Sequence, residues 1–268
     1  MSVAVPAALK VKPLEVIEFT LHPEYTQRLA EIGLENFEDF LYLEGIEAMR
    51  DVPGRLTVSL DFGESKAYLK RHWGHKAGLL KKSGPHFEAQ TEWDNTRLLE
   101  SRGISVPTPL AYGLGRADGK EISFYLSASV RGTQSDHYLD RSNLTIESKK
   151  VFIERLAAFA KLIHESGFNH RDFYLCHLFA NELGDDFEFA LIDLQRVQER
   201  SAWRYRWLIK DLTQLLYSVP KSFSRSECLR WYFLYKGIKT LSKEDKKMIG
   251  DIQKKTAKLR ARCGDYIV

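Results

Sequence analysis

Residues 169–179 read NHRDFYLCHLF, and Asp193 follows in LIDLQR, 21 residues beyond Asp172. One carboxylate in an HRD triplet at the exit of a helical pattern, and a second at the end of an apolar strand, suit phosphoryl transfer. That chemistry needs one Asp to orient an attacking hydroxyl and take its proton, and another to hold the Mg2+ that bridges the β- and γ-phosphates of ATP. Either Asp alone is an ordinary turn former or helix cap; their spacing carries the inference. His177 stands five residues after Asp172, where such loops usually place Asn, and joins Asp193 as a candidate metal ligand. His170 suits a packed structural role, and Arg171 suits pairing with a carboxylate of the loop.

Phosphoryl transfer also needs a strand lysine on the nucleotide phosphates and a helical carboxylate to orient it. Lys70 in AYLKRH fits the first role, although Lys66, Arg71 and Lys76 nearby fit a simple basic strand as well. Glu92 in QTEWDN, 22 residues on, fits the second, with Glu88 one turn earlier as its competitor. The turn over the phosphates falls in EAMRDVPGRLTV, where Gly54 is the only glycine and no G-x-G-x-x-G occurs. Backbone groups of Ala128, Ser129 and Val130 are the expected adenine contacts.

The elements that must position these groups change character near residue 130. Before it, HPEYTQRLAEIG and ENFEDFLYLEG carry helical spacing, RLTVSLDF and SKAYLKRH form a hairpin pattern around GES, and EISFYLSASV reads as a further strand. Between them, SGPHFEAQTEWDNTRLLESRG reads as a helix ending at Gly103, and ISVPTPLAYG as a proline-broken connector. After residue 145 the pattern is mostly helical. Phe152, Leu156, Phe159 and Ile163 share one face before Gly167, KDLTQLLYSV reads as another helix, and KEDKKMIGDIQKKTAKLRARC as a basic terminal one with Met248, Ile249, Ile252 and Leu259 in a stripe. The expected fold is α+β and kinase-like, with a mostly β N-lobe over 1–130 and a mostly α C-lobe over 131–268 sharing a cleft.

The chain of 268 residues, 44% hydrophobic and 28% charged, is long enough for two such lobes. No apolar run reaches bilayer length, and the first residues lack a signal-peptide pattern. Three dispersed cysteines suit free thiols, so a cytoplasmic protein is expected. The net charge of +4 understates the bunching of cations in KRHWGHKAGLLKK, RSAWRYRWLIK and the terminal fifty residues, which suits a polyanionic partner or a plain solvated face.

NHRDFYLCHLF and LIDLQRVQ together resemble the lipopolysaccharide core heptose kinases, the WaaP-like branch of the kinase superfamily, whose members carry HRD-C-Y-x-C-H followed by I-D-L-H-R. The resemblance extends to AYLKRH, EW and WRYRWLIKDL, and runs from about residue 37 onward. Phe173 and Gln195 depart from the pattern without removing a group that phosphoryl transfer needs. His177 in place of Asn is the family's own usage. The resemblance implies ATP-dependent phosphorylation of an inner-core heptose hydroxyl on lipid A-linked oligosaccharide, at the cytoplasmic face of the inner membrane, with no nucleic-acid partner; the basic terminal helix suits either peripheral contact with the inner membrane or, better, packing against the larger lobe. It implies that Lys76, Lys81, Lys82, Arg204 and Arg206 dock acceptor anions, that Trp203, Tyr205 and Trp207 offer stacking faces, with core packing suiting Trp207 at least as well, and that Asp211 braces the loop from beneath. Two alternatives stand beside it: a kinase of another acceptor (an octulosonic acid, another core sugar or a protein tyrosine), and a pseudokinase scaffold, for which the missing glycine loop argues.

Overall fold

A computed structural model of the chain describes residues 14–44, 47–75, 88–141, 144–200 and 204–267. It divides into two compact units, Met1–Leu98 with Pro107–Ser129, and Leu99–Val106 with Val130–Val268. The short segment 99–106 thus groups with the second unit, not with the N-lobe in which a boundary at 130 would place it.

The first unit is built on a six-stranded antiparallel sheet. Its strands are β1 (Leu14–Leu21), β2 (Glu47–Val52), β3 (Arg55–Phe62), β4 (Ser65–His75), β5 (Pro109–Ala117) and β6 (Lys120–Ala128), in the spatial order β1-β5-β6-β4-β3-β2. The hairpin expected around GES is present as β3 and β4, with Phe62 paired to Ser65. The segment expected as a connector is only partly one, because β5 starts at Pro109 and pairs along β6. Strand β1 was not expected. It is an edge strand with a register shift between Val16 and Glu18, and Val16 and Ile17 are both exposed, so its sequence shows no clean alternation.

Two short helices, α1 (Thr26–Glu31) and α2 (Phe37–Tyr42), cover one face of this sheet. Phe40 of α2 stacks on Phe124 of β6 at 4.5 Å, within a core that includes Leu56, Val58, Leu69 and Leu126. Arg71, 1% exposed, donates to the Phe40 and Leu43 carbonyls at 2.7 and 2.9 Å and so satisfies acceptors at the end of α2. Arg71 is therefore a buried tie, not part of an exposed basic strand. Helix α3 (Glu88–Ser101) packs Ala89 and Trp93 against Tyr112, Leu114 and Tyr125 on the other cluster of the sheet.

In the second unit the central element is α5 (Ile146–Glu165), capped by Thr145, whose hydroxyl accepts the Ser148 N–H. Phe152, Leu156 and Ile163 are buried along it, as their spacing predicts, and Phe159 is half-buried against Phe189. Around it lie α4 (Ser135–Arg141), β7 (Thr133–Gln134), β8 (Phe168–Asn169), β9 (Leu178–Leu183), β10 (Asp186–Leu191) and β11 (Gln198–Glu199). Helices α6 (Arg204–Ser218), α7 (Arg225–Lys236) and α8 (Lys243–Cys263) complete it; α7 packs on α5 and α8 on α6. The stripe of α8 centres on Ile252 and Thr256, both buried, with the Thr256 hydroxyl donating to the Thr213 carbonyl of α6 at 3.4 Å.

Candidate active site

In the first unit, β4 carries Lys70 between Thr57 of β3 and Tyr125 of β6. Its ammonium forms a short ion pair with Glu92 of α3, whose side chain is 3% exposed. Glu88 is taken instead by His72, at 3.3 Å, so the choice between the two carboxylates falls to Glu92. A strand sets this pairing because Lys70 and His72 point to the same face two residues apart, and Glu88 and Glu92 lie one helical turn apart opposite them.

Gly54 has φ +83° in a two-residue turn between β2 and β3, after Pro53. This is a strand-turn-strand as expected, but with two turn residues it supplies no run of free amides. In the Ala128–Val130 segment two donors are already engaged: the Ala128 N–H reaches the Thr108 carbonyl at 2.9 Å and the Ser129 N–H the Lys66 carbonyl at 2.8 Å. Sheet closure uses those two amides, so the backbone groups of this segment left for a base are the Ala128 and Ser129 carbonyls and those of Val130.

In the second unit, the loop after β8 is held from α6. The Asp211 carboxylate, fully buried, accepts the N–H groups of His170 and Arg171 at 2.9 and 2.8 Å and the Asn169 amide at 3.2 Å. Gln214 Oε1 accepts the Phe173 N–H at 3.1 Å, and the Ser218 hydroxyl accepts the Leu175 N–H at 2.9 Å. Asp211, Gln214 and Ser218 share one helical face, so a single helix meets successive amides of an irregular loop. Burial opposes the charge of Asp211, but His164, His170 and Asn169 outweigh it and hold the carboxyl below its ordinary range. The bracing lets Arg171 occupy φ +70°, in the left-handed region that costs a non-glycine residue about 1–3 kcal/mol.

His170 is buried, which chiefly lowers its pKa, and its Nε2 bonds the Ile192 carbonyl at 2.9 Å. It is a structural tie, locking the loop to the end of β10. Asp193, next in the chain, also has a left-handed backbone, φ 61° and ψ 58°. His177 Nδ1 donates to the Asp172 carbonyl at 2.7 Å, which leaves Nε2 toward Asp193 Oδ2 at 3.7 Å. Burial works against its charge, yet Cys176, Asp193 and the Asp172 carbonyl together raise the imidazole to about 9.

Asp172 is half-buried and held at both oxygens. Arg196 Nη1 donates to Oδ2 at 2.6 Å and Gln214 Nε2 to Oδ1 at 3.4 Å. The sequence did not single out Arg196 or Gln214 as partners of Asp172. Arg196 had a usable signal, as a cation three residues past Asp193; Gln214 had only its place one turn after Asp211. Arg204 donates to the His164 carbonyl and, at 3.3 Å, to that of Arg200. Tyr205 bonds Asp251 at 2.8 Å, and the Trp207 ring lies under the guanidinium of Arg200 at 4.2 Å. Lys76, Lys81, Lys82 and Trp203 lie outside the described residues.

A buried lysine–glutamate pair, an HRD loop braced by a helical Asp, and an Asp in a left-handed turn after an apolar strand make up the polar framework of a kinase. The model of the lipopolysaccharide kinase (Kdo/WaaP) family matches residues 51–235, which contain all of these groups. The chain belongs to the lipopolysaccharide kinase (Kdo/WaaP) family. It is similar to the lipopolysaccharide core heptose(I) kinase WaaP of Pseudomonas aeruginosa, 28% identical over 256 residues, with 88% of this chain and 95% of that one covered. A protein of the same description from Escherichia coli is 26% identical over 247 residues, covering 86% and 93%. The solved structure of WaaP in complex with acyl carrier protein superposes with a TM-score of 0.69 over 91% of this chain and 99% of that one, at 23% identity. That likeness shows the fold, α+β and kinase-like. Family membership makes the chain a phosphotransferase. Among the described residues no helix is long and apolar enough to cross a membrane.

Proposed function

We propose that the protein transfers the γ-phosphoryl group of ATP to a heptose hydroxyl of the lipid A-linked inner core, at the cytoplasmic face of the inner membrane. The observation that carries this is the intact loop: Asp172, Asp193 and His177 are gathered by backbone that Asp211 and His170 hold in place. Kinship to proteins described as core heptose(I) kinases supplies the acceptor.

In this mechanism the acceptor hydroxyl is oriented by the Asp172 carboxylate, which takes its proton as the oxygen attacks the γ-phosphorus and the bond to the bridging oxygen of ADP breaks. Lys70, steadied by Glu92, binds the nucleotide's phosphate oxygens. Asp193 is the carboxylate suited to Mg2+, with His177 Nε2 beside it. Among the described residues no group of three or more His, Cys, Asp or Glu is placed to hold a metal. A site of one or two protein ligands fits Mg2+, which usually relies on substrate phosphates and water for the rest. When bound, Mg2+ neutralises charge developing on the phosphates.

The buried Lys70–Glu92 pair favours an active enzyme over a scaffold, because isolating a buried charge is costly and a scaffold gains nothing from it. Mass spectrometry of inner-core oligosaccharide after incubation with ATP and Mg2+ tests the assignment: a single added phosphate on heptose is expected, and phosphate on any other sugar would replace heptose as acceptor.

A further inference from the structure

Two depressions open on the second unit around α6. The first, about 310 Å³, is lined by Arg171, Arg196, Arg206, Lys210 and Lys255 around Trp207. The second, about 350 Å³, shares Lys210 and Lys255 and adds Lys258 and Arg262 beside Tyr174 and Gln214. Neither has a carboxylate among its lining residues. Among the described residues Arg171, Arg206, Lys210 and Lys255 form no ion pair, and Arg171 Nε is buried without a hydrogen-bond partner.

This is unlike a solvated lysine face. Three guanidinium groups, of Arg171, Arg200 and Arg206, crowd the Trp207 ring at 5.1, 4.2 and 5.5 Å, and Lys210 is half-buried with its ammonium on the Arg171 carbonyl. Burial, and then the neighbouring cations, lower the pKa of Arg171, while burial also lowers that of Lys210. Like charges kept together at a partly dry site are unfavourable unless an anion joins them.

The placement is specific. Each oxygen of Asp172 bonds a residue that lines one depression: Oδ2 bonds Arg196 of the first, Oδ1 bonds Gln214 of the second. We infer that the two depressions are anion subsites for an acceptor carrying acidic groups on either side of the hydroxyl that is phosphorylated, with Arg196 shared between the first subsite and Asp172. The inference rests on the sugar-kinase reading and adds to it the residues that select the acceptor. Arg196 couples the two functions. An oxyanion in the first depression competes with Asp172 for its guanidinium, and as Arg196 turns to that anion, Oδ2 is released to receive the hydroxyl proton. Carboxylate and phosphate both meet this requirement, because a guanidinium binds either by paired N–H donors.

The test compares the full chain with Arg206→Gln/Lys255→Gln and with Lys258→Gln/Arg262→Gln, all four residues being exposed. Acceptors are native core oligosaccharide, the same with carboxylates reduced to alcohols, and the same with phosphates removed. Loss of two charge-assisted contacts is expected to raise acceptor KM about tenfold or more, with ATP KM unchanged and kcat nearly held. The modified acceptor that raises the wild-type KM to the same degree identifies the anion. Arg196→Gln is expected to weaken discrimination between native and modified acceptors. Variants with acceptor KM within about twofold of wild type would overturn the inference. If the wild type phosphorylates none of these sugars, the sugar assignment fails, and calorimetry with inorganic pyrophosphate decides the subsites alone: binding weakened about tenfold in the paired variants sustains them, and equal binding removes them.

Discussion

Asp211 Oδ1 accepts the N–H of Arg171 at 2.8 Å, and that one bond fixes a residue whose backbone lies at φ +70°. The loop bearing Asp172 is therefore held by a buried carboxylate it does not itself contain. Replacing Asp211 by Ala leaves the Asn169 amide and the His170 and Arg171 N–H groups without their acceptor and takes the carboxylate from His164, a loss on the order of 3–5 kcal/mol. A fall in melting temperature of about 6–15 °C is expected for a chain of this size. An unchanged melting temperature would show that the loop is held by other contacts.

The same carboxylate gives a pH dependence with a definite sign. Its pKa is lowered on folding, so its contribution is fully present above the unfolded carboxyl value of 3.8 and is lost as pH falls through the lower folded value. The stability gap between wild type and Asp211→Asn is expected to stay constant from neutral pH down to about 4 and to narrow below it. Thermal melts of both proteins across that range measure it; a gap that closes near pH 6 would point to a histidine instead.

Lys70 chooses between two glutamates one turn apart. Glu92→Gln removes its ion partner and is expected to lower kcat about 100-fold. Glu88→Gln, which removes the carboxylate beside His72 and keeps the Lys70–Glu92 pair, is expected to remain within about threefold of wild type. Steady-state kinetics of both variants separate them, and equal losses would mean that α3 shifts to present either carboxylate.

Gly132 has φ +91°, and a Cβ there would lie 2.2 Å from the Ala180 carbonyl oxygen of β9. Gly103, at φ +72°, has open space around it. Gly132→Ala is expected to cost at least about 3 kcal/mol and Gly103→Ala about 1 kcal/mol, read by denaturant midpoint. Similar midpoints would imply that β7 and β9 move apart freely.

Much of this site is visible in the chain because its groups sit in short runs. HRD, the Asp after FEFALI and the KDL of α6 are local patterns, and the terminal helix is bounded by Ser242 and Cys263 as its stripe suggests. Arg196 and Gln214 are not visible in that way. Their meeting at Asp172 depends on a left-handed turn at Asp193 and on the face that α6 turns to the loop. Helix α7 carries a Ser224–Glu227 capping box that could have revealed it, whereas β9 is a short strand whose exposed end, Leu183, hides the alternation. Arg71 illustrates a different limit: its charge marks it as surface, and only the carbonyls at the end of α2 explain why it is buried.

The most direct test of the account is transfer of labelled phosphate from ATP to purified inner-core lipopolysaccharide with Mg2+, run for the wild type beside Asp172→Asn. Acceptor-dependent transfer by the wild type, reduced by a factor on the order of 100 to 10,000 in the variant while nucleotide affinity is kept, is the result this structure predicts. Equal transfer by both proteins would contradict the assignment of Asp172 as the base.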